Sequence, residues 1–407
     1  MIRLGVIGYG LRMQYFIGGS AGMGGNTGTG SSMKTAMPDL KVCAVLDPDV
    51  AGAKARLHEE DRDARFYTDF DEMMRKERLD AVAISTRCHQ HTPYAVKAAK
   101  YDVPLFLEKP VSISMEQAVE LEHAFENSKC QVVVSFPLRF TTIQRKARQC
   151  IAERAVGEPQ HIMAHNYVTY GMVYFEQEYR NYQITQGLFL QKATHDLDYM
   201  MDLMGSPVTR VAAMATRGHV FGGNKPSGLT CSKCGETETC PESPYRRKLS
   251  QIHTDNDHLC PFSVDCGSPK TGMNEDSSSC VMEFSTGAHG VYTQVFYARK
   301  EAGMRGATVS GYEGTLSFDW YKEQLRLMPH FQAGGGVFNF PAGTNHFGGD
   351  LTLALHFKDV IAGKAAPITS LANGLRSIYT CLAAKQSSER GTFVDVRQVG
   401  AVPKLAR

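Results

Sequence analysis

Short apolar runs recur through the first third of the chain, at positions 4–7, 42–46, 81–84, 105–107 and 132–135. They are too short for helices and show little polar alternation, so they read as strands buried on both faces. Between them, 70–75, 94–99 and 115–125 carry amphipathic, helical patterns. Alternating strands and helices with right-handed crossovers build a doubly wound parallel sheet. Ligands bind such sheets beyond the carboxyl ends of the strands. Those ends are where chemistry is expected.

The first strand runs into Gly8-Tyr9-Gly10. Gly8 permits a tight turn, and Gly10 lets the backbone approach a pyrophosphate whose charge the following helix N-terminus favours. Met13 replaces the third glycine of the dinucleotide fingerprint. Position directly after the first strand favours that fingerprint over an ordinary glycine turn. The second strand ends at Asp47. A carboxylate there can bind both ribose hydroxyls of NAD and would repel an NADP phosphate. Asp47 lies further from Gly10 than the usual ~20 residues. The Gly/Ser-rich stretch 18–32 accounts for the offset as an inserted flexible loop. NAD is therefore the expected cofactor.

Composition narrows the class. A chain of 407 residues suits two domains, and 43% apolar content gives each a core. A formal charge of +2 gives no reason to expect nucleic acid or an anionic membrane as partner. No run approaches 18 apolar residues, so no transmembrane helix is expected. Met1-Ile2-Arg3 leads at once into the first strand, leaving no apolar region for a signal peptide. A cytoplasmic location is the resulting expectation. There the eleven cysteines are expected as thiols or metal ligands rather than disulfides.

At Glu108-Lys109-Pro110 the chain resembles the glucose-fructose oxidoreductase / inositol dehydrogenase (Gfo/Idh/MocA) family. The resemblance extends over Gly8-Tyr9-Gly10, Asp47-Pro48, the segment 86–93 and Pro137-Leu138-Arg139-Phe140. It continues through Gly157-Glu158-Pro159, Lys192-Ala193-Thr194-His195-Asp196 and His346-Phe347-Gly348-Gly349-Asp350. It implies an N-terminal Rossmann domain, 1–136. A C-terminal α/β domain, 137–407, would carry a large open, mostly antiparallel sheet and a Cys-rich insertion at about 217–279. It also implies a small carbohydrate substrate and a homo-oligomer, dimer or tetramer. Around the cofactor it places Gly8, Tyr9, Gly10, Leu11, Arg12, Asp47, Thr86, His91, Glu108 and Lys109. Arg180, His161, Asn166, Tyr170, Gln191 and His346 fall in segments resembling the family's pocket, where a sugar needs several donors and acceptors.

A nicotinamide dehydrogenase needs a base for the hydroxyl proton. Lys109 is expected beside the reacting oxygen, in the extended backbone that Pro110 imposes. His195 is the expected proton acceptor. It opens a helix whose apolar face is Leu197, Met200, Met201 and Met204. The helix dipole, Lys109 and Lys192 all disfavour imidazolium there. Many relatives carry an acidic residue where Gln191 stands. Gln191 can orient a hydroxyl but cannot take a proton, and Lys192 joins the catalytic candidates.

Six cysteines fall between Cys231 and Cys280, starting with Cys231-x2-Cys234-x5-Cys240 and continuing with Cys260 and Cys266. The spacing suits a structural zinc, with His253 or His258 able to replace a thiolate. Free thiols, disulfides and an iron–sulfur cluster are the alternatives. The leading function is NAD-dependent hydride transfer at a secondary hydroxyl of a sugar, glycoside or cyclitol. A redox-neutral glycosidase using oxidation, elimination and reduction is the second reading. A non-catalytic dinucleotide-sensing regulator is the third, and Lys109 with His195 argues against it.

Overall fold

The computed structural model describes residues 1–18, 32–249, 257–268, 270, 272–341 and 345–400. Residues 19–31 of the Gly/Ser-rich stretch read from the sequence, and His253, lie outside the described residues.

The chain divides into two compact units, each drawn from separated stretches. The first holds Met1–Arg145, Ala342–Tyr379 and Arg397–Arg407; the second holds Lys146–Pro341 and Thr380–Val396. The chain thus returns to the first unit, where a single boundary after residue 136 would have kept it away. The reason is packing. Leu353, Ala354, Phe357 and Val360 on helix Gly349–Ile361 join the apolar cluster of the first sheet. The Phe357 ring meets Phe106 edge-on at 5.5 Å, and Phe106 stacks on Phe16 at 4.7 Å.

The first unit is a six-stranded sheet in the order β3-β2-β1-β4-β5-β6. The strands are β1 Ile2–Ile7, β2 Leu40–Leu46, β3 Arg65–Tyr67, β4 Ala81–Ile84, β5 Leu105–Leu107 and β6 Val132–Val134. Every pairing is parallel. β4, β5 and β6 are buried throughout, as crossovers covering both faces require. Helix Met115–Phe125 starts where the Ser114 side chain accepts the Gln117 N–H, and helix Phe70–Lys76 where Asp69 accepts that of Glu72. The order reverses at β1, which is the ligand-binding switch point of this fold.

The second unit carries a nine-stranded sheet, β14-β13-β12-β11-β7-β10-β9-β8-β15. Its strands are β7 Pro159–Tyr167, β8 Val208–Thr216, β9 Ser277–Phe284, β10 His289–Val295, β11 Met304–Gly311, β12 Gly314–Asp319, β13 Gln324–Pro329, β14 Gly336–Asn339 and β15 Val394–Asp395. Only the β7–β10 pair is parallel. Along β7 burial alternates: Ile162, Ala164 and Asn166 face inward, while Met163 is exposed. Helix Ala193–Met204 is buried along almost its whole length.

Candidate active site

In the first unit the site begins at the end of β1. Gly8 has φ +81°, and a Cβ there would lie 2.7 Å from the Ser85 carbonyl oxygen. Only glycine lets the β1 and β4 ends approach so closely. A Cβ on Gly10 would meet no atom within 4 Å, so the turn faces open space. Asp47, half-buried at the end of β2, accepts the Tyr9 N–H at 2.7 Å and the Asp49 N–H at 2.8 Å. Leu11 is exposed at the start of helix Leu11–Ile17, whereas the Tyr9 side chain is fully buried and offers a ligand its backbone alone. An open glycine turn beside a fixed carboxylate suits the pyrophosphate and ribose of NAD.

Arg12 does not face that space with free donors. Its Nε donates to Glu108 at 2.8 Å, and its two Nη groups donate to the two Asp350 oxygens, each at 2.9 Å. The Ser135 hydroxyl also donates to Glu108, and His346 Nδ1 lies 3.0 Å from Asp350 Oδ2. Burial would raise the Glu108 carboxyl, but Arg12 and then Lys109 outweigh it and hold it below its usual range. Against the same burial, Arg12 and His346 hold Asp350 well below the usual carboxylate range. Arg12 and Glu108, expected at the cofactor, and His346, expected at the substrate, are thus joined in one ion network.

His91 is also used internally. Its Nδ1 lies 2.7 Å from the Pro110 carbonyl and its Nε2 3.0 Å from that of Thr86. A neutral imidazole can donate to one carbonyl only. Burial pushes the His91 pKa down, so the neutral ring donates to one of these two carbonyls. The ring ties the Thr86 turn to the segment carrying Lys109, which stands half-buried after β5.

In the second unit the charged centre is Asp196, in the first turn of helix Ala193–Met204. It accepts Arg305 Nε at 2.9 Å and Nη2 at 3.0 Å, the Asn166 amide at 3.0 Å and the Tyr292 hydroxyl at 3.0 Å. Asn166, expected on the sugar, is committed to this carboxylate. Lys192, 5% exposed, donates to the Tyr170 hydroxyl at 2.6 Å. Among the described residues no carboxylate forms an ion pair with its Nζ. Burial, then the like charge of Arg305, lowers the Lys192 pKa to about 7 despite Asp196. Gln191 and His195 are buried on either side of Lys192 in sequence.

Two sequence comparisons bear on this arrangement. Residues 2–136 match the Gfo/Idh/MocA oxidoreductase family, NAD-binding Rossmann fold, and residues 144–317 match its GFO/IDH/MocA C-terminal domain. The chain belongs to the Gfo/Idh/MocA family of oxidoreductases. YteT of Bacillus subtilis (strain 168), an oxidoreductase by name, is 25% identical over 347 residues, covering 75% of this chain and 80% of YteT. The scyllo-inositol 2-dehydrogenase (NAD(+)) of the same organism is 24% identical over 189 residues, 44% of this chain and 51% of that protein. A levoglucosan dehydrogenase solved with NADH and levoglucosan superposes with a TM-score of 0.72 at 17% identity, covering 98% of this chain and 100% of that one. That likeness speaks for the fold.

Within this Gfo/Idh/MocA chain several expected ligands sit elsewhere. His161 lies on the opposite face of β7 from Asn166, because strand parity separates them, and its ring packs on His289 at 4.8 Å. Arg180 is buried and donates to Ser263 Oγ at 2.6 Å, Asp265 at 2.7 Å and the Cys260 carbonyl at 3.3 Å. These bonds tie it to the Cys-rich insertion.

The expected zinc site is not borne out. Among the described residues, no three His, Cys, Asp or Glu side chains are arranged to hold a metal. All eleven cysteines are free thiols. Cys231 lies 3.7 Å from both ring nitrogens of His258, and Cys266 Sγ contacts the Phe175 carbonyl at 3.4 Å. Cys260 is buried, and Cys234 and Cys240 are half-buried. The insertion has other means of support. Arg247, 1% exposed, pairs with Glu176 and Glu242, and Phe221 stacks on Phe175 at 4.0 Å. Phe262 packs against the same apolar cluster.

Sequence reasoning missed Asp350, Asp196 and Arg305 as organising charges. The two aspartates stood inside quoted motifs without a role. Arg305 on β11 has no motif, and its partner lies 109 positions away.

Proposed function

We propose that the chain is an NAD-dependent dehydrogenase that moves a hydride between a secondary hydroxyl carbon of a sugar, glycoside or cyclitol and the nicotinamide. The observation that carries the cofactor choice is Asp47, fixed by the Tyr9 amide at the end of β2. The substrate class is drawn from relatives whose names specify inositol and levoglucosan. NAD supplies the hydride acceptor when bound, with Gly8, Gly10, Asp47 and Thr86 as the residues to hold it. We assign orientation of the reacting oxygen to Lys109. We assign the released proton to the turn of the second unit that carries Lys192 and His195.

A homo-oligomer is part of the same reading. Met163, Val281 and Met214 are exposed on one face of the second sheet, an apolar surface that suits contact with another copy. Met163→Glu should lower the mass seen by sedimentation. We place the protein in the cytoplasm; no described helix is long and apolar enough to cross a membrane. The test of the function is a screen of purified protein with NAD against sugars, glycosides and inositols at alkaline pH. NADH should form with at least one. Glycoside cleavage without NADH would instead favour a redox-neutral glycosidase.

A further inference from the structure

We propose that Tyr170 and Lys192 act as one proton couple for the substrate hydroxyl, Tyr170 meeting the substrate and Lys192 storing the proton behind it. The proposal rests on the dehydrogenase reading above. Its geometric basis lies in the second unit. Lys192 is almost completely buried, yet its hydrogen-bond partner is a phenol, at 2.6 Å, and no carboxylate. Buried lysines are ordinarily paired with an acid, because an isolated buried ammonium is costly. The nearby acid, Asp196, has its oxygens taken by Arg305, Asn166 and Tyr292. Tyr170 is 42% exposed, so a ligand can reach the residue whose hydroxyl meets Lys192.

The charged and titratable groups around the couple favour a neutral amine. Arg305 repels an ammonium at Lys192, and burial acts in the same direction, against the weaker pull of Asp196. Although the residue as a whole is 42% exposed, its hydroxyl end lies withdrawn against Lys192, and that burial keeps the phenol protonated, with Arg305 opposing and Asp196 assisting. Tyr174 and Tyr321 stand near Tyr170 as further neutral phenols. Near pH 7 Lys192 exchanges between the ammonium, which donates to the Tyr170 hydroxyl, and the amine, whose lone pair can accept the phenol proton.

The step then balances. In oxidation, the substrate C–H bond breaks and the hydride goes to the nicotinamide of NAD. The substrate O–H proton passes to the Tyr170 oxygen, and the Tyr170 proton passes to Lys192 Nζ. A ketone, a neutral phenol and an ammonium remain. Reduction runs the same transfers backwards.

The test begins without cofactor or substrate. In protein labelled with ζ-15N lysine, one amine, absent from Lys192→Met, should titrate near pH 7. Turnover by Lys192→Met and Tyr170→Phe should each fall about 10²-fold, as loss of acid–base catalysis predicts. The limb near pH 7 in kcat/KM should vanish in Lys192→Met, while NADH affinity stays unchanged. Lys192→Arg keeps the cation and cannot become neutral. It should fold and be as inactive as Lys192→Met. A merely structural cation would be rescued by arginine. Lys192 titrating above pH 10, or wild-type turnover in Lys192→Arg, overturns the couple. NADH formation by the wild type tests the dehydrogenase reading separately.

Discussion

Arg12 in the Rossmann unit, partly withdrawn from water with 26% of its side chain exposed, and Lys192 in the second unit, almost wholly buried, are cations with opposite partners. Arg12 is gripped by Glu108 and Asp350. Lys192 has a phenol and a like-charged neighbour, Arg305. Withdrawal from water costs a cation hydration; a guanidinium stays charged regardless, whereas for an amine the partner decides whether the charge survives. Two carboxylates grip the always-charged Arg12 and make it a brace. Without a carboxylate, Lys192 falls to about 7 and can exchange a proton near neutral pH. A permanently charged cation near the glycine turn thus serves architecture, and a marginally charged one serves chemistry.

The comparison breaks most visibly at Asp350. Asp350→Asn removes the countercharge facing the Arg12 Nη groups and should cost about 3 kcal/mol, the low end for breaking a buried pair, since Glu108 remains. The folded carboxyl titrates below its ordinary value, so its stabilisation is complete above about pH 4 and is lost as pH falls through the lower, folded value. Denaturation of wild type and variant should therefore differ at pH 7 and converge in acid. An equal gap at every pH contradicts the role given to Asp350.

Lys109→Ala and His195→Ala come next. Each should lower turnover by about 10² or more, with NAD affinity retained by fluorescence titration. Near-normal turnover in Lys109→Ala would remove it from the reacting oxygen.

Lys192→Met should act on stability in the opposite sense to Asp350→Asn. Its folded pKa is about 7 against an ordinary 10.5. Between those values the unfolded chain holds a proton that the fold does not, so stability rises with pH. Below pH 7 the full cost of the buried ammonium is present. The methionine variant should be more stable by about 1–3 kcal/mol at pH 6, after loss of the Tyr170 hydrogen bond. That gain should shrink toward pH 10. A variant destabilised at pH 6 would mean the lysine is an ordinary structural cation.

Asp47→Ser carries the smallest expected effect, about a tenfold shift in the ratio of NAD to NADP affinity, or roughly 1.4 kcal/mol. A wild-type preference for NADP would contradict the placement of Asp47.

Much of the Rossmann half was legible because its signals are local. The apolar runs at 81–84 and 105–107 coincide with β4 and β5, and the glycine turn and Asp47 sit at strand ends as read. β3, Arg65–Tyr67, was missed because three residues with one buried side chain make no apolar run. Helix Gly349–Ile361 has a visible apolar face, but no local pattern says which sheet receives it. The internal partners of the candidate sugar ligands were hidden for the same reason. Arg180 is charged and sits in a pocket-like segment, yet its partners are more than 80 positions away. The separation of His161 from Asn166 was legible in principle, since an odd spacing along one strand puts two side chains on opposite faces. Lys192 was picked out by its neighbours in sequence. Its want of a carboxylate could emerge only once Arg305 was seen to occupy Asp196.

The most direct test of hydride transfer tracks the label itself. A substrate from the screen, deuterated at the carbon bearing the reacting hydroxyl, is incubated with NAD and the wild-type protein. The nicotinamide is then read by mass spectrometry. The dehydrogenase account predicts NADH that accumulates with one deuterium for each ketone formed. Product appearing with the deuterium retained in sugar, or with no labelled NADH, would contradict it.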